Sequence, residues 1–153
     1  MDNSNQPLLG FRLWSLEENK LWSIGAGKSY WSPGPNQAVC LRDPEHVAPV
    51  ADCECGYYAY KSLVAPEAGE YRDILDSSIG LVGGAVAAGG DVLMHPEGFR
   101  AEQMAIVALC YIEGDTETWE ALQPVAKEFG VPVFDSVEEF SKYTDALPFQ
   151  SME

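Results

Sequence analysis

Between Trp31 and Gly56 the chain carries prolines at 33, 35, 44 and 49, a spacing that denies this stretch any long helix. A run of roughly 25 residues without regular structure is unusual inside a compact domain unless something else orders it. The same stretch holds three of the four cysteines and one of the two histidines: Cys40, His46, Cys53 and Cys55, spaced C-x5-H-x6-C-x-C. Three soft thiolates and one imidazole form a Cys3His set that suits tetrahedral structural zinc. A metal bound there would turn its binding free energy into folding free energy, the order the prolines otherwise remove. Gly56, directly after Cys55, lets the backbone turn sharply beside an ion.

The C-x-C pair is tighter than the usual C-x2–4-C spacing, and the residues alone leave other readings open. The cysteines can be buried thiols or disulfides, although an intracellular setting argues against disulfides. Alternatively, Cys40 or Cys55 with His46 forms a nucleophile–base pair, for which no orienting group is visible. A filled four-ligand shell leaves no open position for substrate, so a metal held by Cys40, His46, Cys53 and Cys55 is structural.

Around this loop the chain reads mostly as strands. Leu8–Leu16 and Lys20–Ile24 are expected to pair across a turn at Glu17-Glu18-Asn19, with Trp14, Trp22 and Trp31 as core aromatics. Tyr57–Val64 fits a short helix or a strand. Ile79–Ala88 and Asp91–His95 read as two strands joined at Gly89-Gly90, and Pro96-Glu97-Gly98 turns into a third at Phe99. Phe99 and Ala101 alternate with Arg100 and Glu102, and Gln103–Ile112 continues as an apolar run that fits a buried strand, a helix remaining the other option. Gly83 and Gly84 leave the backbone open to close approach by a neighbouring element.

The C-terminal third has helical periodicity. Trp119, Leu122, Ala126 and Phe129 share one face, with Asp115 or Thr116 as cap, Gly130 past the end, and Pro124 predicted to kink or split the helix. Val131–Phe134 reads as a short strand, and Ser136-Val-Glu-Glu139 as the capping box of a last helix ending near Tyr143. The expected fold is therefore α+β in one domain, 1–153. Antiparallel strands occupy 7–112 with a zinc-stapled loop at 31–56, a helix–strand–helix part follows over 113–146, and 1–6 and 147–153 are flexible ends.

Charge narrows the partners. Twenty-four acids against nine bases give −15 at pH 7, and residues 113–153 alone carry ten acids and two bases. Such a field repels phosphate backbones, so direct nucleic-acid binding is not expected. The surplus serves either solubility or mimicry of nucleic acid toward a basic protein partner. The longest uncharged run, Ile79–Gly90, falls well short of the ~20 residues of a membrane span. Residues 1–7 lack the basic and apolar segments of a secretion signal, so no membrane association and a cytoplasmic location are expected.

Catalytic signatures fail on inspection. Gly25-Ala-Gly-Lys-Ser29 resembles the end of a phosphate-binding loop, but position 22 is Trp22 where a glycine is required, and Tyr30-Trp-Ser-Pro-Gly-Pro35 forbids the following helix. It reads as a glycine-rich hairpin turn. No G-x-G-x-x-G, G-x-S-x-G, H-E-x-x-H or EF-hand loop occurs. His95, before Pro96, reads as a surface histidine and Cys110 as a core thiol. A non-enzymatic interaction protein with structural zinc is the leading expectation. A small enzyme using Cys55 and His46, or a cleft near His95, is the alternative from another class.

The succession Trp31-x-Pro-Gly34, Cys40, His46-x-Ala-Pro49, Cys53-x-Cys55-Gly56-Tyr57-Tyr58-Ala59-Tyr60-Lys61, Gly98-Phe-Arg-Ala-Glu102 and Phe129-Gly-Val-Pro132 resembles uncharacterised proteins of actinobacteria and their phages. The likeness runs from about residue 10 to 133, and the Cys-His-Cys-x-Cys-Gly core is its most specific part. The family carries no established activity. The resemblance therefore implies an intracellular accessory protein, encoded by an actinobacterium or by its phage and in the latter case acting in the host cytoplasm, and assigns no catalytic residue.

Overall fold

The computed structural model describes residues 7–23, 29–40, 42–43, 45–51, 53, 55–62, 80–113 and 116–150. Its order is β1 (Leu8–Glu17), β2 (Lys20–Ser23), β3 (Asn36–Gln37), β4 (Tyr57–Tyr60), β5 (Gly80–His95), β6 (Gly98–Glu113), α1 (Thr116–Phe129), β7 (Val133–Phe134) and α2 (Val137–Asp145). The fold is α+β: an antiparallel sheet in the N-terminal part, then two helices with a strand between them.

Alternation along β1 explains why it can be covered on both sides. Trp14 and Leu16 enter the larger core, while Leu9 and Phe11 enter a smaller one behind the sheet. β1 turns into β2 with Glu17 opposite Lys20, and Glu18 and Asn19 both take positive φ, the geometry of a tight hairpin that matches strand twist. The turn is thus one residue shorter than the sequence indicated. Ser23 and Trp31 hydrogen-bond back to Ser29 and Leu21, so the glycine-rich segment is flanked by antiparallel pairing; Gly25–Lys28 lie outside the described residues.

β5 and β6 form a long hairpin joined at Pro96-Glu97, and they organise the sheet. β1 lines β5, β4 lines the start of β6, and β4 returns to β1 where Phe11 faces Tyr60, so these four strands close on themselves. The sequence indicated two strands meeting at Gly89-Gly90. The structure has one strand with a bulge there, Gly90 at φ +71°, because both flanks keep pairing with β6. Gly84 does permit close approach: a Cβ there would lie 2.5 Å from the Ala108 carbonyl oxygen and 2.9 Å from the Trp14 ring. Residues 57–60 are strand and 103–113 continue β6, which settles both open choices of element type.

A parallel partner needs a crossover, and α1 supplies it between β6 and β7. Leu122, Val125 and Ala126 are buried in the larger core, while Trp119 and Phe129 are half-buried. Pro124 does not split α1. It lies on the exposed face, where the carbonyl that loses its intrahelical donor can bond water. Thr116 opens the helix, Asp115 lies outside the described residues, and Gly130 ends it at φ +69°. Ser136 caps α2 by accepting from the Glu139 amide at 3.3 Å, and Phe140 seats the helix on the smaller core.

Residues 147–150, expected as a loose end, are docked. Leu147 and Phe149 pack on the smaller core, and Gln150 exchanges backbone hydrogen bonds with Pro7 and Leu9. Half-burying two large apolar side chains outweighs the freedom of a short tail. Residues 1–6 and 151–153 lie outside the described residues.

Candidate metal centre

The loop leaves the sheet after β3, where Asn36 ties Ser32 and Gly34 into a turn and Ala38 donates to the Glu102 carbonyl of β6. It rejoins the sheet at β4. Between those anchors the described backbone bonds are short-range: His46 to Asp43, and Cys53 to Val50. Ala48 is fully buried, and Ala48–Pro49 is a cis peptide.

Four side chains converge in this loop. The ligand atoms of Cys40, His46, Cys53 and Cys55 all lie within 4.8 Å of one another. The Cys40 and Cys53 sulfurs are 3.6 Å apart, and His46 Nε2 is 3.2 Å from the Cys55 sulfur. Zinc–sulfur bonds of ~2.3 Å in a tetrahedron set sulfur–sulfur edges of roughly 3.8 Å, so one ion fits between these donors with small adjustments. A two-iron cluster would spread the same four ligands over two metal atoms, which this compact grouping does not match. The cluster is compatible with a metal ion such as zinc.

The surroundings suit thiolate ligation. Cys40 is buried, and its sulfur accepts a hydrogen bond from the Asp43 amide at 3.3 Å. Burial opposes its ionisation, but the amides of Asp43 and Arg42 and the Cys53 and Cys55 thiols outweigh it and bring Cys40 down to about 7. Cys55 is pushed the other way, by burial and by its two neighbouring thiols. The Asp43 carboxylate stands 3.6 Å from His46 Nδ1, the placement by which an outer carboxylate orients a metal-binding imidazole through its second nitrogen.

Behind the ligands, Arg100 projects from β6 into the loop. Its Nη1 donates to the carbonyls of Cys53 and Cys55, its Nη2 to that of Ala51 at 3.5 Å, and its Nε to His95 Nε2 at 3.1 Å. Arg100 alternates with Phe99 and Ala101 along β6, and the loop packed over it leaves it 5% exposed. Gly56 takes φ +112°, as the sharp turn beside Cys55 requires. Arg100 and Asp43 are the parts of the site that sequence reasoning missed. Neither belongs to a ligand pattern, and Arg100 is 45 residues away from Cys55 in the chain.

The other sequence candidates are not brought into the cluster. Cys110 is fully buried in the smaller core, where burial pushes its thiol up to about 11. His95 is exposed at the end of β5 and stacks on Tyr58. Fold and cluster together define a small α+β protein with a candidate Cys3His centre. No protein-family model, curated protein or solved structure matches the chain.

Proposed function

We propose that this chain is a non-enzymatic accessory protein that binds one zinc ion through Cys40, His46, Cys53 and Cys55, and that the zinc staples loop 31–56 to the sheet. The observation that carries the reading is the convergence of all four donors within 4.8 Å in a proline-broken loop. An accessory role, with a protein as partner and the cytoplasm as its setting, is part of the same proposal.

A second reading rests on a specific contact. Cys55, His46 and Asp43 stand in the order of a nucleophile, base and orienting carboxylate, with Cys55 Sγ 3.2 Å from His46 Nε2. Two features favour metal over catalysis. A thiol nucleophile needs a depressed pKa, whereas burial pushes Cys55 up; and a triad has no use for the Cys40 and Cys53 sulfurs.

Native mass spectrometry of protein purified without added metal, followed by alkylation with iodoacetamide, tests the choice. One zinc per chain is expected, lost in Cys53→Ser together with a marked fall in melting temperature, and the cluster thiols should label slowly until chelator is added. A metal-free chain whose melting temperature ignores chelator, or immediate labelling of Cys55 alone, would overturn the zinc reading.

A further inference from the structure

Arg100 is 5% exposed, and burying a charge without a counter-charge is costly. Its hydrogen bonds go to the carbonyls of Ala51, Cys53 and Cys55 and to His95 Nε2; among the described residues no carboxylate pairs with it. Carbonyl dipoles satisfy its donors but bring no net charge. His95 is an imidazole and supplies no negative charge either.

Among the described residues, a negative charge can come from just beyond those carbonyls. Cys53 and Cys55, whose backbone oxygens take the guanidinium, are also the residues whose sulfurs enter the cluster. Three thiolates, a neutral imidazole and a divalent ion sum to −1.

We propose that Arg100 is the built-in counter-ion of the Cys3His centre, a positioning residue whose buried charge and grip on the Cys53 and Cys55 carbonyls favour the metal-loaded loop over the empty one. The inference rests on the zinc reading above and adds the residue that couples metal loading to docking of the loop on β6. Loading neutralises the Arg100 environment, and Arg100 in turn holds the two backbone carbonyls that aim Cys53 and Cys55. Loss of an outer-shell partner of this kind typically weakens metal binding by about 10–100-fold.

The test is a cobalt(II) and zinc(II) titration of the reduced, chelator-stripped full chain, comparing wild type with Arg100→Gln and Arg100→Lys. Gln removes the charge and keeps a donor; Lys keeps the charge and loses the planar fork. Wild type should give the strong visible and thiolate charge-transfer absorption of tetrahedral cobalt. R100Q should bind at least about tenfold more weakly, with a shifted charge-transfer band, and R100K should recover most of the loss. Equal affinity and spectrum in R100Q and wild type would overturn the counter-ion role while leaving the zinc reading intact. So would R100K binding as weakly as R100Q, since packing and not charge would then decide. If R100Q does not fold, a folded R100K that binds near wild-type strength supports the proposal, and one that has lost the metal overturns it. A wild-type chain with no tetrahedral cobalt spectrum would overturn the zinc reading and this inference together.

Discussion

Gly56 shows how much one residue at the site depends on having no side chain. At φ +112° a Cβ would stand 3.1 Å from Pro49 Cβ and 3.4 Å from the Ala101 carbonyl oxygen. Gly56→Ala is expected to cost about 1–3 kcal/mol, measured as a lower urea midpoint for the metal-loaded protein, because strain and contact act together. Cys110 supplies a contrast to the cluster thiols. With a pKa of about 11 it should escape alkylation near pH 7 even in chelator, while Cys40, Cys53 and Cys55 become labelled, which peptide mass spectrometry would read. Its pH effect has a definite sign. The thiol loses its proton near 9 when unfolded but near 11 when folded, so the folded state holds more protons in between. Stability should therefore fall as pH rises from about 9 toward 11, and fall less in Cys110→Ala, as denaturant titrations across that range would show. The Cys3His cluster and Gly56 were legible because their residue types are rare and clustered. Arg100 was not, since its role depends on which face of β6 the loop covers.

At the scale of elements, loop 31–56 and the β5–β6 hairpin obtain their order from different sources. The hairpin has a long, bulged ladder and a buried apolar core, whereas the described residues between Val39 and Gly56 have short-range backbone bonds, Arg100 and the cluster. Removing metal with chelator should raise amide exchange across 38–56 while β5 and β6 stay protected, a difference that hydrogen-exchange mass spectrometry resolves. Equal loss of protection in both would mean that the loop is not a separate unit. The elements most readily read from sequence were those with local signals: the β1–β2 strands, the capped α2 and the face of α1. Pro124 and Gly89-Gly90 misled because local breakers act only where nothing compensates. Solvent receives the orphan carbonyl in α1, and pairing with β6 carries β5 through its glycines.

For the whole molecule, −15 is a large charge on 153 residues. Glu117, Glu120, Glu128, Asp135, Glu138, Glu139 and Asp145 are all exposed on or beside the two helices, as the apolar stripes required. Self-repulsion should make the melting temperature rise between ~10 and ~150 mM of a non-coordinating salt, over which the screening length falls from roughly 30 to 8 Å. A flat or falling profile would show that this repulsion does not limit stability. The same surface is the basis for the acidic-mimic alternative. A pull-down from host lysate would favour mimicry only if a basic partner is retained at low salt and released at high salt. By itself the sequence determined the element types with clear periodicity, the charge, the absence of complete catalytic motifs and the candidate ligand set, since these follow from local pattern and residue chemistry. Tertiary structure decided the rest: closure of β1, β5, β6 and β4 into a ring, docking of residues 147–150, burial of Arg100 and convergence of the four donors. Each of these depends on which distant segments share a face, and that is set by packing between elements, which spacing along the chain does not encode.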